Sequence, residues 1–70
     1  MKKTVFIEGM SCNHCKMRVE NTLGELEGVA NASVNLEAKQ AVVDVKAEVS
    51  NESITQAIDD IGFEVVRIEG

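Results

Sequence analysis

Hydrophobic side chains recur along this chain with two different periods, and the order in which those periods follow one another limits the fold more than any other feature. Between Lys3 and Glu8 the β-formers Val5 and Ile7 share one face, the period-two pattern of a half-buried strand. Cys15, Val19, Leu23 and Leu26 then recur at helical spacing. Ser11 or Asn13 is placed to cap the start of that helix, and Gly28 to close its end. Ala32, Val34 and Leu36 alternate, as do Ala41, Val43 and Val45, which predicts two strands joined through Glu37-Ala38-Lys39-Gln40. That connection lacks the Asn-Gly or Asp-Gly pair of the tightest hairpins. Ser50 stands at an N-cap, and Ile54, Ala57, Ile58 and Ile61 form a second helical stripe that Gly62 ends. Glu64 to Ile68 predicts a last short strand.

The predicted order is therefore β-α-β-β-α-β. Two βαβ halves with this order form an α+β, ferredoxin-like sandwich: a four-stranded antiparallel sheet with two helices on one face. Alternating strands suit such a sheet, because one face meets the helices and the other meets water. Seventy residues make one small domain, expected to span 1–70, with no linker and no low-complexity segment.

Composition removes several classes of function. Seven Lys and Arg against twelve Asp and Glu leave a net charge of −5, and there is no Trp or Tyr. Such a chain repels phosphate backbones and offers no stacking platform, so nucleic-acid binding is excluded. No apolar run approaches the ~18–20 residues that cross a bilayer, and no membrane insertion is expected. Glu8 and Gly9 interrupt the N-terminal apolar stretch too early for an export signal, which makes the cytoplasm the expected location. One His, no Ser/His/Asp arrangement and no glycine-rich phosphate loop predict that the chain is not an enzyme.

The chemistry lies with Cys12 and Cys15, the chain's two cysteines. Residues three apart on a helical turn lie on one side, so both sulfurs can reach one point. A helix start supplies free N–H groups and partial positive charge, which favour thiolate. Structural zinc takes about four ligands and iron–sulfur clusters four cysteines, more than Cys12, Cys15 and His14 together provide. Soft thiolates select Cu(I), and an open side on the ion lets a partner's thiolate join before one of these leaves. A thiol–disulfide oxidoreductase using the same pair is the alternative. The absence of any proline, including the cis-proline that faces such motifs in thioredoxin-like proteins, weighs against it.

The segment Gly9-Met10-Ser11-Cys12-Asn13-His14-Cys15 resembles the Gly-Met-(Thr/Ser)-Cys-x-x-Cys motif of heavy-metal-associated domains, and most of all that of bacterial copper chaperones. The resemblance continues through Gly28-Val29 and Ile61-Gly62-Phe63. It implies Cu(I) held between Cys12 and Cys15 and delivered to metal-binding domains of a copper-transporting P-type ATPase or to a copper-responsive repressor. Ser11 stands where zinc-selective relatives tend to carry an acidic residue, so copper is favoured over zinc or mercury. Phe63 stands where the chaperones commonly have Tyr and the ATPase domains commonly Phe, which keeps an N-terminal metal-binding domain of a copper ATPase as the alternative. The chain is expected to be a monomer without metal, with a Cu(I)-bridged dimer open to it once loaded.

The neighbouring residues carry plainer expectations. Met10 is read as a hydrophobic plug for the loop, not a thioether ligand. His14 is expected to be exposed and turned away from the sulfurs. Met17 and Phe6 fall off the core stripes and are read as single exposed apolar residues. Phe63 is expected beside the metal loop, as packing or as a shield. Lys16 and Arg18 are either solvated or support for an anionic site.

Overall fold

A computed structural model describes residues 2–70 of the chain. Strand β1 (Lys2–Glu8) leads into helix α1 (Asn13–Gly24), followed by β2 (Val29–Asn35), β3 (Gln40–Val45), α2 (Asn51–Asp60) and β4 (Glu64–Glu69). Among the described residues the strands form one antiparallel sheet in the order β2-β3-β1-β4. The expected ferredoxin-like α+β sandwich is the observed fold.

Register explains which face is buried. Val34, Ala41, Val5 and Ile68 are direct cross-strand neighbours, so one apolar row crosses all of β2, β3, β1 and β4. Ile7, Val43 and Val45 extend that face, and Val19 and Leu23 of α1 and Ile54 and Ile58 of α2 close over it. Each such side chain withdrawn from water contributes about 1.5–3 kcal/mol, and this burial is the main force holding a domain so small together.

Beyond the last apolar row the same face carries Lys3, opposite Val43. Its ammonium donates to the Val49 carbonyl and to Asn51 Oδ1, each at 2.8 Å, and so pins the start of α2. Strand β4 carries a bulge: Ile7 faces Val65 while Phe6 faces Arg67, leaving Val66 as the extra residue. The insertion lets Val65 and Ile68, three apart, both pack on the core. It also leaves Val66 54% exposed.

Three boundaries differ from expectation. Helix α1 is capped at neither Ser11 nor Asn13. Its N-cap is Cys12, in extended backbone (φ −152°, ψ 171°) and with no side-chain capping bond. The helix also stops at Gly24, short of Leu26 and Gly28. The Leu26 N–H donates to the Leu23 carbonyl and the Val29 N–H to the Leu26 carbonyl, tight turns that replace a further helical turn. Gly28 opens β2 instead, where a Cβ would lie 2.8 Å from Val49 Cγ2. In the hairpin, β2 begins at Val29 and Leu36 lies past its end. The turn closes with Asn35 Oδ1 accepting from the Ala38 N–H and with Lys39 at φ 55°. Phe6 is half-buried where exposure was expected, because the Arg67 guanidinium lies over its ring at 4.3 Å.

The end of α2 matters for the site. The Gly62 N–H donates to the Asp59 carbonyl and the Phe63 N–H to the Ile58 carbonyl, the paired bonds of a Schellman cap. That cap needs a left-handed residue, and Gly62 supplies it at φ 90°. Phe63 is thereby brought to Gly9, just past the end of β1.

Candidate metal centre

The site is the loop from Gly9 to Cys12 and the first turn of α1. Gly9 turns the chain out of β1 at φ 99°, and Phe63 Cδ1 lies 3.3 Å from where a Cβ on Gly9 would stand. Phe63 is therefore packed against the backbone of the loop at its hinge. Met10 follows with its side chain 8% exposed, within the core, so the expected plug is the observed one. With hinge and plug fixed, Ser11 and Cys12 are lifted into solvent at the helix start.

The two sulfurs meet. Cys12 Sγ and Cys15 Sγ are 3.5 Å apart, with both thiols free. Cys12 is exposed, while Cys15, one turn into the helix, packs partly against the core. The pair thus has an anchored inner member and a freer outer one. The first helical bond runs from the Lys16 N–H to the Cys12 carbonyl. The N–H groups ahead of it have no partner within the helix and surround the sulfurs with donors.

Those donors act on Cys15. The Ser11 backbone N–H, chiefly, and then the Cys12 thiol hold the Cys15 thiol below the ordinary cysteine range. Desolvation opposes them, and the Cys12 backbone N–H and the Ser11 hydroxyl add lesser effects in the lowering direction. Lys16 is not among these influences. It lines a groove with Asn13, Asn35 and Glu37, on the side facing the hairpin turn. Arg18 and Met17 are exposed on the outer face of α1, Met17 at 58%. His14 is exposed as expected, and among the described residues no three His, Cys, Asp or Glu side chains converge.

The arrangement offers two soft donors on an accessible corner, one of them biased toward thiolate, with no third His, Cys, Asp or Glu among the described residues converging on them. The spacing of the cysteines predicted that their sulfurs converge, and they do. Sequence reasoning missed one support, the Ser11 N–H aimed at Cys15, whereas Phe63 was expected beside the loop and its ring is found there, against Gly9.

Comparison with known proteins agrees with this geometry. The sequence pattern of the heavy-metal-associated domain matches residues 4–64. The copper chaperone CopZ of Bacillus subtilis (strain 168) is 46% identical over 67 residues, an overlap of 94% of this chain and 97% of that one. Among solved structures, a CopZ metallochaperone superposes with a TM-score of 0.88 at 40% identity, covering 94% of this chain and 100% of the other. A copper-binding domain from HMA7, a P-type ATPase, superposes with a TM-score of 0.84 at 36% identity and 100% coverage of both chains.

Proposed function

The chain belongs to the heavy-metal-associated domain family, and from that premise we propose that it is a copper chaperone that carries Cu(I) between Cys12 and Cys15. The observation that carries this reading is the pair of thiols 3.5 Å apart at an exposed helix start, with no third donor from the described residues. Two thiolates suit a soft monovalent ion that accepts low coordination, and they leave a tetrahedral zinc site half filled. Copper is cargo here, and the reaction is ligand exchange, not catalysis.

The distances suggest how exchange proceeds. With metal–sulfur bonds of about 2.3 Å, sulfurs 3.5 Å apart subtend about 100° at the ion. A linear S–Cu–S unit needs about 4.6 Å, so the pair opens by about 1 Å on loading. Cys12, exposed and at the N-cap, is the member free to swing outward, while Cys15 is held by the core. An incoming thiolate of a second Cys-x-x-Cys then fills the open side before Cys12 departs, and that motif's second thiolate displaces Cys15 in the same way, so the ion is never released to water. The recipient is a metal-binding domain of a copper-transporting P-type ATPase. The likeness to the HMA7 domain supports this, because donor and acceptor of equal ligand type exchange with little net driving force. A copper-responsive repressor is a second recipient of the same chemistry. Such a carrier works in the cytoplasm, where thiols stay reduced.

The experiment is the double substitution Cys12→Ser/Cys15→Ser, titrated with Cu(I) against a chromogenic Cu(I) chelator. Loss of chelator-competitive binding with an unchanged far-ultraviolet dichroism spectrum is expected. Retained tight binding in the double variant refutes the site.

A further inference from the structure

Strand β2 is one edge of the sheet, and an open edge is a template for another strand. In an antiparallel ladder the N–H groups of alternate residues point away from the partner strand. On β2 two successive outward donors are taken by side-chain oxygens. The Ala32 N–H donates to Asn31 Oδ1 at 3.0 Å, and the Val34 N–H donates to Glu20 Oε2, reaching over from α1, also at 3.0 Å. The opposite edge, β4, is broken by the bulge at Val66 and carries the exposed Arg67–Glu69 ion pair. The edge of β2 is regular: Asn31 to Asn35 stay in unbroken register with β3.

The sequence of that stretch says what it fits. Asn31-Ala32-Ser33-Val34-Asn35 is nearly palindromic about Ser33 and uncharged, in a chain of net charge −5. Antiparallel pairing with a second copy about a twofold axis at Ser33 sets Asn31 opposite Asn35, Ala32 opposite Val34 and Ser33 opposite itself. Ala32 and Val34 are also the residues whose donors face outward, so each apposed pair would exchange reciprocal backbone bonds. No like charges meet. This is the self-complementarity that an isologous interface requires.

We propose that Asn31–Asn35 is a latent homodimerisation edge and that the Glu20 carboxylate keeps it closed by occupying the Val34 N–H. The device is independent of metal. Its test is sedimentation velocity on reduced, metal-free protein across a concentration series. Glu20→Ala is expected to shift reversibly toward a doubled mass. Glu20→Gln, whose amide oxygen still accepts, is expected to stay monomeric like the parent. Glu20→Ala/Ala32→Pro, which removes an outward donor without touching the β3 ladder, is expected to return to monomer. A folded Glu20→Ala that stays monomeric throughout, or association that Ala32→Pro leaves intact, overturns the proposal. Should Glu20→Ala not fold, amide exchange in the parent decides. Slow exchange at Val34 relative to the exposed Glu37 amide in the hairpin turn supports the closed edge, and equally fast exchange refutes it.

Discussion

Replacing Met10 separates the two roles a methionine beside the thiol loop can have. Its side chain is 8% exposed and packs in the core cluster with Val5, Val19 and Leu23. Truncation to alanine removes buried apolar atoms and leaves a cavity, a change that costs ~2–5 kcal/mol in well-packed sites. Met10 lies at the rim, where the loop can partly collapse, so the lower end, about 2–3 kcal/mol, applies. Against a total of about 3.5–10 kcal/mol for a chain of this length, that is a large fraction. At about 4–8 °C per kcal/mol for a domain of this size, the melting midpoint of Met10→Ala falls by about 10–20 °C. Met10→Leu conserves volume and costs less than about 1.5 kcal/mol. The assay is thermal melting by circular dichroism on reduced, metal-free protein, paired with Cu(I) competition titrations. If Met10 is a plug, Met10→Leu keeps its Cu(I) affinity within about twofold of the parent, under about 0.5 kcal/mol. If its sulfur is a ligand, Met10→Leu loses affinity by about tenfold or more while remaining folded. The assignment of Cys12 and Cys15 as the sole donors then fails.

Two further outcomes follow from the same coordinates. In Cys12→Ser, which leaves Cys15 alone with a hydroxyl neighbour, the pH midpoint for iodoacetamide alkylation lies below that of the same variant unfolded in urea, because the Ser11 backbone N–H remains. A midpoint at or above that value contradicts the donor arrangement. Because the folded thiol titrates lower than the unfolded one, its contribution to stability is present above the unfolded pKa. That contribution is lost as pH falls through the folded pKa. Lys39→Gly relieves left-handed strain at φ 55°, worth ~1–2 kcal/mol, at ~0.4–1 kcal/mol of added chain entropy. A net gain of about 0.5 kcal/mol should raise the melting midpoint by about 2–4 °C, and a lower midpoint would refute the reading of that turn.

The sheet and both helices were legible because each buried face repeats a period, and periods survive in the sequence whatever the chain does between them. Val5 and Ile7, Val43 and Val45, and Ile54 and Ile58 were all assigned to the core on that basis and are buried there. The ends of α1 were not legible, because capping is decided by which backbone groups find partners. Leu26 continues the apolar stripe, yet its N–H goes to Leu23 and ends the helix. The bulge at Val66 was equally silent, since Glu64-Val65-Val66-Arg67-Ile68 fits plain alternation as well as an inserted residue. At the site, the sulfurs and their spacing were visible. The Ser11 N–H that lowers the Cys15 pKa was not, because a backbone donor leaves no mark on residue identity.

The contact between Phe63 and Gly9 carries a consequence for biosynthesis. The loop bearing the thiols is translated early, but the ring that seats its hinge belongs to the turn after the second helix. A nascent chain can display Cys12 and Cys15 well before that turn exists, as two loose thiols on an unformed corner. The receptacle is finished only as the C-terminal strand docks, so a ribosome-bound fragment offers passing ions reactive sulfur without a working cradle.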